Sequence, residues 1–323
     1  MIATITMNPC IDKTFTIRGF AYGGLNRVQT KRSDFSGKGI NVSIVLHQLG
    51  IPVRTFGINY TKNGQDFAKG LEALGISYEA FMAEGAVREN IKVMNEEDRV
   101  TTELNQKGDP LDGKTLRAFR KQLMDQLADP EIDMVVITGS VPQGVPSSFY
   151  RELTAACRRI GKKVILDAEG ELFLEGIQAC PDVIKPNLYE FETAFGLENP
   201  GREDILRKAR EIIGGGVGII CLSMGAEGAM IIDRKEAWIC PADRIDVKST
   251  QGAGDSMVAG MCMALEKGLP LSEILRYGVI AADGSLIREG TQLCTKENFE
   301  RFRKEVRVFR ADESETTGGT GIL

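Results

Sequence analysis

The stretch TQGAGDS at residues 250–256 sets three small residues, Gly252, Ala253 and Gly254, directly before a carboxylate, Asp255, and then runs into an apolar helical pattern. Glycine lets a backbone approach a bound anion closely, and a helix start adds free N–H groups and a positive dipole. A carboxylate planted there has two readings: a first-turn acid that supports the helix, or a base that takes a proton from a bound hydroxyl. Further polar clusters each follow a strand-like run or open a helical one. MNPCID ends in Asp12, and SGKGINV (36–42) offers small residues and free N–H groups beside Lys38, Gly39 and Asn41. TGSVPQG (138–144) exposes Ser140 between turn residues, and LSMGAEGA (222–229) is a glycine-interrupted hairpin signal. KPNLYE (185–190) sets Asn187 and Glu190 three apart, one helical turn, where both can face the same ion or water.

Each cluster also has a plain structural reading. Asp12 could stabilise a turn after Pro9, Lys38 could be a solvated loop charge, and Ser140 before Val-Pro is an ordinary turn residue. Asn187 is a good helix cap, with Glu190 completing a capping-box pattern. His47, on a helix rich in Val, Ile and Leu, reads as structural. The joint occurrence of the polar clusters, in this order, shifts the balance towards chemistry.

Several classes are disfavoured. No glycine run supplies a GxxxxGK[ST] phosphate loop, and GKGINV and GAGDSM both lack the third glycine of a dinucleotide fingerprint. A formal net charge of −5 argues against a nucleic-acid partner, while local Lys and Arg still allow an anionic substrate. No stretch approaches the roughly 18 uninterrupted apolar residues of a membrane helix, so no membrane partner is expected. MIATITMNPC lacks the basic region and cleavage site of a signal peptide. The seven cysteines are scattered without a C-x-x-C, which fits a reducing cytoplasm and small core residues.

The elements that must position these residues follow from periodicity. IATITM (2–7), DMVVITG (133–139), KVILDAE (163–169), DVIKPN (182–187) and VGIICLS (217–223) predict buried parallel strands. Amphipathic stretches at 39–49, 63–74, 112–127, 146–160, 187–195 and 202–213 predict crossover helices. Strands alternating with such helices imply a parallel sheet covered on both faces, with ligands at the carboxyl ends of the strands. Residues 13–34 and 86–107 break the rhythm: their alternating runs lack a crossover helix and predict one small antiparallel sheet, a candidate lid on a core of 1–12, 35–85 and 108–309. The polar, glycine-rich end at 310–323 reads as a disordered tail.

Over residues 1–308 the chain resembles the ribokinase-like (PfkB) carbohydrate kinases. TQGAGDS is similar to that family's T-x-G-A-G-D signature, SGKGINV to its N-terminal signature and KPNLYE to its N-x-x-E element. NPCID, SGKGINV, RENIKV, TELN and GSVPQGVP resemble the branch that acts on phosphosugars. The chain departs from the pattern at Gln251, where many relatives carry Val, and at Ser36, where they often carry Gly. Neither is expected to touch the chemical groups.

The resemblance implies a three-layer α/β/α sandwich with a β lid and ATP- and Mg²⁺-dependent phosphorylation of a phosphorylated ketohexose. D-fructose 1-phosphate is the foremost candidate, with tagatose 6-phosphate or fructose 6-phosphate as alternatives. A non-catalytic sugar-phosphate sensor on the same fold is a remote one, opposed by the intact Asp255, Asn187 and Glu190. Asp255 would be the base, and the N–H groups of Gly252, Ala253 and Gly254 the anion hole. Asn187 and Glu190 would organise Mg²⁺ through water, while Lys185, Asn187, Ser223, Gly225 and Gly228 would border the nucleotide. Asp12, Gly39 and Asn41 would hold sugar hydroxyls. Lys38, Arg88 and Lys92 would meet the existing phosphate, with Ser140 and Asn90 nearby. In similar proteins the lid pairs two subunits, so a homodimer is expected; a sheet too small to bury both faces gains from such pairing.

Overall fold

The computed structural model describes residues 1–98, 100–242 and 245–311 of the chain. Its core is a ten-stranded sheet. Six parallel strands form the middle: β1 (Ile2–Thr6), β4 (Val53–Tyr60), β8 (Met134–Thr138), β9 (Lys163–Asp167), β10 (Val183–Ile184) and β11 (Ile219–Ser223). β5 (Tyr78–Ala83) adds a parallel edge beside β4. On the other side β12 (Ala229–Ile232), β13 (Ala237–Cys240) and β14 (Phe309–Arg310) continue antiparallel.

Both faces are covered, as continuous apolar strands require. Ile2, Val136, Ile165, Val183 and Cys221 face one cluster with α1 (Lys38–Gln48), α8 (Ala253–Glu266), α9 (Leu271–Leu286) and α10 (Lys296–Phe302). Ile5, Ile137, Leu166, Ile184 and Leu222 face the other. That second cluster packs against α2 (Gly64–Ala73), α3 (Gly113–Leu127), α4 (Phe149–Arg159), α5 (Gly170–Ile177), α6 (Leu188–Phe195) and α7 (Arg202–Gly214). The parallel register aligns Thr6, Thr138 and Asp167 at one rim, the carboxyl ends of the strands.

The lid is a separate four-stranded sheet in the order β3 (Thr30–Ser36), β2 (Cys10–Ile17), β6 (Arg88–Asn95), β7 (Thr101–Asn105). Its outer pairs are antiparallel, as alternation predicts, whereas the central pair β2–β6 is parallel. The parallel join follows from the chain entering both strands from the core side, after β1 and after β5. The sheet begins at Cys10, not residue 13, so Asp12 belongs to a lid strand and not to the core.

The expected tail starts too early. Phe309 and Arg310 pair with β13, and the Ala311 amide donates to the Ala237 carbonyl at 2.9 Å. The Arg310 guanidinium lies 5.4 Å from the Trp238 ring centre, so an apolar edge strand gains a partner and a cation–π contact. The rest of that segment, 312–323, lies outside the described residues. Among the described residues no helix is long and apolar enough to cross a membrane.

Candidate active site

At the start of α8 the backbone turns through Gly252, whose φ of +75° only glycine adopts readily, and a Cβ there would meet Leu293 at 2.4 Å. Asp255 follows in the first turn without making a capping bond. Its carboxylate accepts a hydrogen bond from Asn41 Nδ2 at 2.7 Å, and only 7% of the residue is exposed. Burial pushes the Asp255 carboxyl up to about 6; Lys38 opposes the shift and Asp167 reinforces it. A buried carboxylate ionised just below neutrality suits a general base.

Asn41, expected against sugar hydroxyls, gives its amide nitrogen to Asp255, and Ser36 Oγ donates to Asn41 Oδ1 at 3.1 Å. Ser36 therefore touches one of the groups it was expected to leave alone: it orients the amide that bonds the Asp255 carboxylate. Gly39 lets the first turn of α1 lie on the end of β1, since a Cβ would sit 2.6 Å from both Ile5 O and Thr6 Oγ1.

Lys38 stands among carboxylates. Asp167 above all, with Asp255, Glu169 and Glu190, holds its ammonium charged against the cost of burial. Asp167, which sequence reasoning missed, ion-pairs with Lys185 at 3.3 Å and accepts from Thr138 Oγ1 at 3.1 Å. Burial alone would raise its carboxyl, but Lys185 and Lys38 outweigh that and hold it below the usual carboxylate range. Its position at the end of β9, where such folds bind ligands, was the available signal. Lys185 Nζ in turn lies 3.7 Å from where a Cβ on Gly254 would stand, beside the turn that opens α8.

A cleft of about 500 Å³ opens beside this cluster, lined among others by Lys38, Arg88, Asn90 and Ser140. Asn8, Asn105 and Lys107 join them. Asn8 Nδ2 donates to Ser140 Oγ at 3.1 Å and to the Lys107 carbonyl at 3.1 Å, tying the β1 loop to both walls. The Arg88 fork is braced by the Gln106 carbonyl at 2.9 Å and the Asn8 carbonyl at 3.4 Å.

Lys92 does not line that cleft. It is 7% exposed and bonds Asp12 Oδ2 at 3.3 Å and Gln251 Oε1 at 2.7 Å. Asp12 also accepts from Asn90 Nδ2 at 2.9 Å, its strand-to-strand neighbour. Gln251 thus contacts one of the groups it was expected to leave alone.

The third group lies at α6. Asn187 and Glu190 form a complete capping box, each backbone N–H donating to the other's side chain at 2.8 Å. An isolated bridge pairs Asn187 with Ser223. The hairpin beyond uses Gly225 at φ +57° and Gly228 at φ +94°, where a Cβ would meet Cys240 O at 2.0 Å. Among the described residues no group of three or more His, Cys, Asp or Glu side chains could hold a metal ion directly, so Asn187 and Glu190 fit Mg²⁺ only through its retained waters.

The sequence matches the pfkB family of carbohydrate kinases over residues 5–298. The chain belongs to that family. It is 34% identical to the 1-phosphofructokinase of Rhodobacter capsulatus over 95% of this chain and 97% of that one. The crystal structure of phosphofructokinase-2 from Escherichia coli with substrates and products superposes with a TM-score of 0.87 at 25% identity, covering 94% of this chain and 98% of that one. Ribokinase from Thermotoga maritima superposes at 0.76 with 19% identity, over 94% of this chain and 99% of that one, which places the fold as ribokinase-like. This pfkB kinase is accordingly a phosphotransferase with an alcohol acceptor and ATP as its phosphoryl source.

Proposed function

We propose that this pfkB kinase phosphorylates D-fructose 1-phosphate to D-fructose 1,6-bisphosphate with ATP and Mg²⁺. The observation that carries the reading is the cleft shared by Lys38 and Arg88, which suits a substrate bearing a phosphate distant from the hydroxyl to be phosphorylated. The Rhodobacter capsulatus relative supports the choice of phosphosugar. Asp255 accepts the hydroxyl proton, held in line by Asn41. The N–H groups of Gly252, Ala253 and Gly254, with Lys185, meet the charge developing on the transferred phosphoryl group, while Lys38 lies on the side of the sugar's own phosphate; such alignment and charge stabilisation are what phosphoryl transfer needs. Arg88 takes the phosphate already on the sugar, with Asn90 and Ser140 beside it, while Asp12 and the Gly39 turn lie against the sugar hydroxyls. Ser223, Gly225 and Gly228 border the nucleotide.

Mg²⁺ supplies charge neutralisation at the phosphates, and Asn187 and Glu190 would hold it through water. Glu190→Gln keeps an oxygen for the Asn187 N–H and so keeps the capping box. It is expected to raise the Mg²⁺ concentration for half-maximal rate several-fold with little change in melting temperature. An unmoved Mg²⁺ titration would leave Glu190 as a helix cap alone.

ADP release across fructose 1-phosphate, fructose 6-phosphate and tagatose 6-phosphate tests the substrate. The expected order places fructose 1-phosphate first by about tenfold or more in kcat/KM, the scale of one well-placed contact. A different leader overturns the choice of sugar, and no ADP from any of the three overturns the catalytic reading. We place the protein in the cytoplasm on its scattered cysteines, which lack any C-x-x-C spacing. We further propose a homodimer through the outer lid face, where Phe15, Ile91, Val93 and the exposed Leu104 align in register.

A further inference from the structure

Gln251 sits next to Gly252, at the entrance to the anion-hole turn, and its side chain leaves the core to reach the lid. Its Oε1 accepts from Lys92 Nζ at 2.7 Å, and its Nε2 donates to the Glu103 carboxylate. Lys92 and Glu103 are direct cross-strand partners on β6 and β7. A primary amide is the one uncharged side-chain group able to satisfy a cation with its oxygen and an anion with its nitrogen at once. The loop end of the contact is fixed too, because the Gln251 amide N–H donates to Ser249 Oγ at 3.2 Å.

The opposite edge of the lid is tied to the same place. Arg32 on β3 donates to Thr291 Oγ1 at 3.3 Å, and that hydroxyl donates to Asp34 at 2.5 Å. Leu293, just beyond Thr291, is the side chain packed under Gly252. Both flanks of the lid therefore converge on one turn of backbone, while Arg88 and Asn90 of the same lid wall the cleft.

We propose that Gln251 is a positioning residue that latches the lid to the anion-hole turn, so that closure over the phosphosugar and setting of residues 252–255 occur together. The kinetic side of this rests on the function proposed above; the latch itself does not. Gln251→Met keeps the length of the side chain and removes both bonds. In the ligand-free protein, hydrogen exchange of the 101–105 amides should then speed up about tenfold, with β1 unchanged and the melting temperature nearly so. In turnover, KM for fructose 1-phosphate should rise about tenfold, the scale of a lost bond to a charged group, with KM for ATP within twofold.

Glu103→Ala should act in the same direction and add nothing to Gln251→Met, since both break one contact. Gln251→Glu alone sets two carboxylates face to face and should be impaired. Adding Glu103→Gln to it restores a donor–acceptor pair and should recover exchange and KM to within about threefold of wild type. Unchanged exchange at 101–105 in Gln251→Met, additive effects of the two single changes, or absence of rescue in the exchanged pair would overturn the latch. If the wild-type protein turns over none of the three phosphosugars, the proposed function fails and the exchange measurements alone decide the latch.

Discussion

Asp255→Asn is expected to lower kcat by about 10²-fold or more while the protein stays folded and binds ATP with little change. Asn keeps the shape and can still meet the Asn41 amide through its oxygen, but it cannot accept the hydroxyl proton. The wild-type pH profile should carry the same signature. With the Asp255 carboxyl pushed up to about 6 by burial, the ionised base is lost as pH falls through that value. kcat/KM should therefore decline on the acid side of about 6, and Asp255→Asn should lack that limb.

Stability should move the other way from activity. The folded-state carboxyl is raised from 3.8 to about 6, so the fold favours the protonated form. The stability associated with that proton is fully present below the unfolded value and is lost as pH rises through about 6. Above that, the ionised carboxylate burdens the wild type, and Asp255→Asn removes the burden. The variant should melt higher than wild type at pH 8, with the gap closing as pH falls towards 4. A variant with near-native kcat, or one melting no higher at pH 8, would contradict the assignment of a strained, buried base.

Arg88→Ala is expected to cost about 10²-fold in kcat/KM for the phosphosugar, the scale of a charge-assisted bond removed from a site closed to water. Turnover of unphosphorylated fructose and KM for ATP should hardly change. The backbone carbonyls of Gln106 and Asn8 hold the guanidinium at the cleft wall, so its position is built before substrate arrives. Arg88→Lys should recover only part of the loss, because an ammonium cannot present the two-pronged geometry. Lys92→Ala should differ in kind. Its ammonium is already shared between Asp12 and Gln251, so its removal reaches the phosphate through the lid and should mimic Gln251→Met. Equal losses with both sugars in Arg88→Ala would mean that the phosphate is gripped elsewhere.

Local order was legible from residue types alone. The β-branched runs ending in Thr6, Thr138, Asp167 and Ser223 announce parallel strands, because a strand buried on both faces must be apolar throughout. The glycines before Asp255 announce a sharp turn into a helix, because only glycine readily adopts the positive φ that Gly252 takes there. The spacing of Asn187 and Glu190 announces their pairing, since one helical turn brings them together whatever else the chain does.

The tertiary structure decided what those groups face. Asn41 and Asp255 are 214 residues apart, and nothing in either segment shows that the amide would be given to the base. Arg88 and Lys92 share a strand face and a charge; only the register of β6 against β2 and β7 sets one at the cleft and buries the other between Asp12 and Gln251. That the central lid pair is parallel, that Asp12 rides on a lid strand, that Ser36 bonds Asn41 and that Gln251 bonds Lys92 are facts of the same kind. Periodicity reports which side of an element is buried, because burial is a property of each residue with water. Partnership is a property of two distant residues and of the one packing that brings them together, and for this kinase it set the charge, orientation and reach of every group around Asp255.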